Sequence, residues 1–197
     1  MVQDILAVAL AEFARLGLAG ARVDAIAAQN RTSKRMIYYH FGSKEKLYEA
    51  VLEYGFASVR REDTGHKLAQ LEPMAALAAF AEDAFDMHAD HPLFVYLVMQ
   101  ENLRGASSLN HSVTIPKINS HTLQWMQQTL ARGQASGVMR QDVTALDVYT
   151  NMVAMCFHNV SNRLSFSAGF GLDPDSPEWR KTRRSAIVDA VLRYAKA

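Results

Sequence analysis

The run Val23-Asp-Ala-Ile-Ala-Ala-Gln-Asn-Arg-Thr-Ser-Lys-Arg-Met-Ile-Tyr-Tyr-His-Phe41, continued by Gly42-Ser-Lys-Glu-Lys-Leu-Tyr48, decides how this chain is read. Val23, Ile26 and Ala27 recur at i, i+3, i+4, which gives a first short helix one apolar face. Asn30 and Arg31 break that period. Thr32 or Ser33 can cap a second helix, because a hydroxyl there accepts an orphan backbone N–H. On that second helix Ile37 and Phe41 share one side, four apart, while Lys34, Arg35, Tyr38, Tyr39 and His40 cover the rest. So many cations and phenols cannot enter a core unpaired. A solvated basic helix would carry the same charges. The short apolar helix and tight turn just before it favour a helix-turn-helix, whose second helix enters the DNA major groove.

The longer run Ser33-Lys-Arg-Met-Ile-Tyr-Tyr-His-Phe-Gly-Ser-Lys-Glu-Lys-Leu-Tyr48 resembles the DNA-binding signature of the TetR family of one-component transcription regulators. Upstream, Ile5-Leu-Ala-Val-Ala-Leu-Ala-Glu-Phe-Ala-Arg-Leu-Gly17 is similar to that family's first helix. The dense match covers the first quarter of the chain, and the remainder is alike in helix count and length. Two departures stand out. The basic arm that often precedes the first helix is nearly absent. Asn30-Arg31 stands where relatives usually have a small residue and then Gly. Either the turn is slightly reshaped or Asn30 takes the left-handed backbone, which it tolerates better than Arg does.

The resemblance assigns DNA contacts to Thr32, Lys34, Arg35, Tyr38, Tyr39 and His40. Arg35 replaces a common Gly and is expected to read bases. Met36 can touch a thymine methyl. Ser33 belongs to the same segment, and Ser43 is a natural cap for the next helix. Lys44 aligns with a phosphate-binding lysine at that helix start, where the N–H groups add partial positive charge, and Lys46 is an outer phosphate partner.

The 197 residues bring 49% hydrophobic and 21% charged side chains, enough for a sizeable core. Net charge is +1, so nucleic-acid affinity must come from a local basic surface. The single cysteine, Cys156, rules out an intramolecular disulfide, in keeping with a cytoplasmic protein, and is read as an inert core residue. The start lacks a basic n-region and no apolar run reaches spanning length, so neither a signal peptide nor a membrane partner is expected.

These signals predict an all-α chain of about nine helices. A helix-turn-helix domain at 1–48 precedes a ligand-binding and dimerisation domain at 49–197, with helix four (43–61) as connector. Helix one spans Asp4 to Leu16, with Leu6, Ala9, Leu10, Phe13 and Leu16 as its stripe, and Gly17 and Gly20 end it. Arg60-Arg-Glu-Asp63 should be solvated. Pro73 opens a helix that Asp90-His-Pro92 interrupts. A long helix follows Pro116 and ends at Gly133 and Gly137. Helix eight, Val143 to Phe166, is apolar around most of its circumference, so it must cover both its own core and a partner subunit. Ser176-Pro177-Glu178 starts the last helix.

The late helices resemble the family's four-helix homodimer interface, with Val153, Phe157, Val160, Ile187, Val191 and Tyr194 as its surface. A two-fold dimer fits a palindromic operator. For a small-molecule effector the candidates are Phe94, Tyr96, Met99, Trp125, Met126, Met152 and Phe157, bulky or soft. Gln100, Asn102, His158 and Asn162 would orient it. Met and aromatics at helical spacing also make ordinary core. No cofactor is implied. The chain lacks a nucleophile elbow, a phosphate loop and a paired-carboxylate motif, so it is not expected to be an enzyme. The function expected is a repressor released from DNA by a small apolar or aromatic molecule. The alternatives are a metal-responsive regulator of the same architecture using His88, His91 and Glu101, or a helical ligand-binding protein or enzyme without DNA affinity.

Overall fold

The computed structural model describes residues 1–59 and 68–197. Among them lie ten α-helices: α1 (Val2–Gly20), α2 (Val23–Gln29), α3 (Lys34–Phe41), α4 (Lys44–Ser58), α5 (Pro73–Asp90), α6 (Pro92–Leu103), α7 (Thr114–Ala135), α8 (Ala145–Ser161), α9 (Arg163–Phe170) and α10 (Pro177–Ala195). The charged Arg60-Arg-Glu-Asp63 end of helix four falls outside the described residues. The chain forms two compact units. One is Met1–Arg60 with His91–Ile118, the other Arg61–Asp90 with Asn119–Ala197.

The first unit is built on α1. Ile5, Ala9 and Phe13 meet Val23 and Ile26 of α2, Ile37 of α3, and Leu47, Val51 and Leu52 of α4. Ile5 is buried while Leu16, expected in the stripe, is exposed. Gly17 breaks α1 as expected, at φ 65°, a backbone that L side chains avoid. α6 also joins this unit, which the division at residue 48 did not anticipate. Leu97 of α6 and Ile115 of α7 are buried in the same core as Ile37. Gly55 of α4 permits the contact: a Cβ there would stand 3.2 Å from the Phe94 ring. The Phe56 and Phe94 rings pack edge to face at 5.0 Å.

At the end of α6, Glu101 is fully buried. Its carboxylate accepts from the backbone N–H of Ser108 (2.5 Å) and Leu109 (3.2 Å) and from Arg104 Nη1 (2.8 Å). The Arg104 guanidinium lies 5.1 Å from the Tyr48 ring centroid. Burial, and then the Glu101 charge, push the Tyr48 hydroxyl up to about 12.

In the second unit, Leu77, Ala81 and Phe85 of α5 share a core with Met126 and Leu130 of α7, with Val148, Met152 and Cys156 of α8, and with Ile187, Val191 and Ala195 of α10. Arg180 and Arg184, one turn apart on α10, fork onto Asp86, Asp90 and Glu82 of α5. Thr144 and Asp147 form a reciprocal capping box at the start of α8. Two expectations about helix ends change. Gly133 lies inside α7, not at its end, because Met139 packs against it and leaves no room for a Cβ. The chain leaves the α-helix at Ala135, and Gly137 at φ 73° makes the turn. The helix expected to run to Phe166 stops at Ser161, and Asn162 separates it from α9, giving ten helices rather than nine.

Candidate nucleic-acid interface

The reading helix α3 is cut to eight residues by a cap at each end. Ser33 Oγ accepts from Met36 N at 3.2 Å, so the serine named as a site residue is the N-cap. Gly42, at φ 80°, ends the helix, and Ser43 Oγ then accepts from Lys46 N at 3.1 Å to begin α4. Ile37 alone is fully buried in α3, which anchors the helix and leaves the opposite face in solvent. Lys34, Arg35, Tyr38, Tyr39 and His40 are all exposed, Tyr39 by 79%. Thr32, Met36 and Lys44 are half-buried at the edge of that face.

Charge pairing separates these cations. Lys34 Nζ lies 3.0 Å from Asp24 Oδ2 of α2, and Lys46 Nζ lies 2.7 Å from Glu49 Oε2. Lys44 Nζ donates to the Ala19 carbonyl at 3.2 Å. A phosphate that takes Lys34 must compete with the Asp24 charge or share the ammonium with it. Arg35 forms no ion pair among the described residues and is exposed. The start of α4 favours negative charge. The Glu45 carboxyl is held below its ordinary value by the backbone N–H there first and by the Ser43 hydroxyl second. The same donors suit a phosphate oxygen.

Sequence reasoning missed a buried carboxylate that ties α1 to the start of α2. Glu12 of α1 is buried, pairs with Arg15 at 3.1 Å and accepts from the backbone N–H of Arg22 at 3.4 Å. Its only sequence signal was an acidic residue directly before Phe13 in the mostly apolar stretch Ile5–Ala14.

The effector candidates divide between the units. Phe94, Tyr96, Met99, Gln100 and Asn102 belong to the first. There Phe94 is buried, Tyr96 packs against the core that holds Leu97, and Gln100 Oε1 lies 2.8 Å from where a Cβ on Gly17 would stand. Asn102 is exposed. Trp125, Met126, Met152, Phe157, His158 and Asn162 belong to the second. Trp125 stacks on Phe80 at 4.7 Å, and its buried Nε1–H has no acceptor among the described residues. Met126 and Met152 are fully buried beside it in that core, and Phe157 edges onto the His88 ring at 6.4 Å. His158 and Asn162 are exposed.

Among the described residues no three His, Cys, Asp or Glu side chains come together as a metal site, His88, His91 and Glu101 included. His88 Nδ1 lies 2.6 Å from the Ala84 carbonyl, and the Glu101 oxygens hold backbone amides and Arg104.

The residues expected at the dimer surface differ in exposure. Val160, Ile187 and Val191 are buried within the single chain. Val153, Phe157 and Tyr194 are half-buried. The outward faces lie elsewhere: Leu146, Asn151, Ala154 and His158 on α8, and Thr182, Ser185, Ala186 and Ala190 on α10.

Residues 5–51 match the family model described as bacterial regulatory proteins, tetR family. Residues 73–191, more than half the chain, match the model described as tetracyclin repressor-like, C-terminal domain. The chain belongs to the TetR family. This TetR-family chain is 29% identical to the HTH-type transcriptional repressor NicS of Pseudomonas putida, over 96% of this chain and 90% of that one. It is 31% identical to the repressor SCO4008 of Streptomyces coelicolor, over 75% and 71%. Among solved structures, the transcriptional regulator SCO4942 from Streptomyces coelicolor superposes with a TM-score of 0.72 at 30% identity, over 98% of this chain and 97% of that one. KstR2 of Mycobacterium tuberculosis, titled a ketosteroid transcriptional regulator, shares the fold at TM-score 0.70 and 20% identity, over 100% and 95%. The protein is thus a DNA-binding transcriptional regulator with a helix-turn-helix head, and its family is one of regulators rather than enzymes. No helix among the described residues is long and apolar enough to cross a membrane.

Proposed function

We propose that this regulator is a cytoplasmic homodimeric repressor, released from a roughly palindromic operator by a small aromatic effector. The observation that carries the reading is α3. It is pinned by buried Ile37 and capped by Ser33 and Gly42, and it turns Arg35, Tyr38, Tyr39 and His40 outward together. Arg35, unpaired, suits a bidentate bond to guanine; Tyr38, Tyr39 and the ammonium groups suit phosphates. Thr32, Met36 and Lys44 complete the contact surface. Repression is supported by the two relatives named as repressors.

The second unit supplies the effector site in this reading. Trp125 and Phe80 offer flat apolar area, and the buried Trp125 N–H costs stability until something accepts from it. A flat molecule carrying a carbonyl or ring acceptor satisfies both. The small side chains Ala154, Ser185, Ala186 and Ala190 allow α8 and α10 of two subunits to approach closely.

The test is a genomic-fragment selection followed by fluorescence anisotropy on the selected duplex and a scrambled one. Wild-type protein should prefer the selected duplex. Arg35→Ala should lose about 1–3 kcal/mol of that preference. Absence of any sequence preference in the wild type, at modest ionic strength, sinks the reading.

A further inference from the structure

The turn between α2 and α3 carries a side chain that the contact surface above leaves out. Thr32 N donates to the Ala27 carbonyl at 3.1 Å and Arg31 N to the Ala28 carbonyl at 3.3 Å. These two bonds close α2 with a Schellman motif, which requires left-handed backbone at the residue between Asn30 and Thr32. That residue is Arg31, at φ 51°. Asn30 keeps φ −87° and ψ 0°, so the left-handed backbone expected there falls on Arg31 instead. Among the described residues, Ala106 is the other non-glycine with positive φ. Glycine would hold the same turn without the steric cost.

Strained backbone of this kind gathers where the side chain has a task. Arg31 is exposed, and no carboxylate pairs with it among the described residues, whereas Lys34 and Lys46 each have an acidic partner. It stands two residues before the Ser33 cap, at the amino end of the reading helix. In helix-turn-helix docking that end meets the base edges, so a long cation just outside it lies beside the phosphates that border the groove. A guanidinium fork fits two phosphate oxygens.

We propose that Arg31 is a DNA-phosphate contact, held in a costly turn because its charge closes on the backbone there. This rests on operator binding by α3. Exchange of Arg31 for Gly separates the two effects by sign. Relief of the turn should raise the melting temperature of Arg31→Gly by about 2–4 °C. Its affinity should fall to a similar degree for the selected duplex and for the scrambled one. Each lost phosphate contact lowers the slope of log K against log salt by about 0.9. Wild-type protein should therefore lose roughly three- to fourfold more affinity per reading head than the variant between about 50 and 200 mM salt. Arg31→Lys should keep most of the slope without the rise in melting temperature.

An Arg31→Gly protein that melts higher but binds both duplexes as wild type does, with the same slope, overturns the proposal. So does a loss confined to the selected duplex, which would make Arg31 a base reader. Arg31→Ala, which loses the charge while keeping a side chain in the strained turn, gives the same binding readout if the glycine variant folds poorly. Failure of the wild type to prefer any duplex would instead refute the operator reading itself.

Discussion

Glu101→Ala is the sharpest perturbation of the first unit. The carboxylate is fully buried and accepts from two backbone amides, Ser108 N and Leu109 N, and from Arg104. Truncation strands both amides. A buried donor left without a partner costs about 1–3 kcal/mol. Ser108 and Leu109 are half-buried, so water can reach them in part and the lower end of that range applies to each. The Arg104 side chain is 32% exposed, and its loss of a partner adds little. The sum is about 2–3 kcal/mol, a large part of the roughly 5–15 kcal/mol that stabilises a typical domain. Urea unfolding at fixed protein concentration should show a lower midpoint with an unchanged slope. Glu101→Gln, which keeps one acceptor oxygen but turns an amide N–H₂ toward the remaining donors, should lose about half as much. A loss under about 0.5 kcal/mol for the alanine variant would show that the 104–109 segment does not depend on this carboxylate.

Other outcomes follow from packing and exposure. Gly133→Ala should destabilise by about 1–3 kcal/mol despite better helix propensity, because the new methyl stands 3.1 Å from Met139 Cβ and closer still to its sulfur; an unchanged melting temperature would mean that Met139 can move aside. Ala154→Arg on the outward face of α8 should give folded monomers in sedimentation, whereas Ile187→Glu should lose helical circular dichroism because Ile187 is core; folded monomers from Ile187→Glu would reverse that assignment. Burial, and then Asp86, push the Cys156 thiol up to about 12, so a thiol reagent at neutral pH should label it only after denaturation; rapid native labelling would contradict its position.

Much of the reading head was legible because local rules decide it. A hydroxyl before a short helix, one apolar anchor, and Gly-Ser at its end define α3 whatever surrounds it. Gly17 likewise announced the break in α1. What the sequence hid depends on which face meets which neighbour. α8 and α10 carry apolar or small residues on more than one face, so periodicity alone did not say that Ile187 and Val191 point inward while Ala186 and Ala190 point out. Glu101 looked like the polar end of an apolar helix, and only the returning loop shows its acceptors in use. Gly133 read as a stop because glycine serves both turns and close packing, and the sequence does not say which. Pocket candidates were chosen for size and softness, qualities that core residues share, and burial of Phe94 fits either role.

The placement of Leu97 and Ile115 bears on how such regulators are recombined. A chimera joined near residue 48 would sever a folded core: the grafted head would arrive with an apolar seam open where those two side chains belong. Transplanting its specificity intact means carrying residues 91–118 along with the head, although some thirty positions of unrelated chain lie between the two segments.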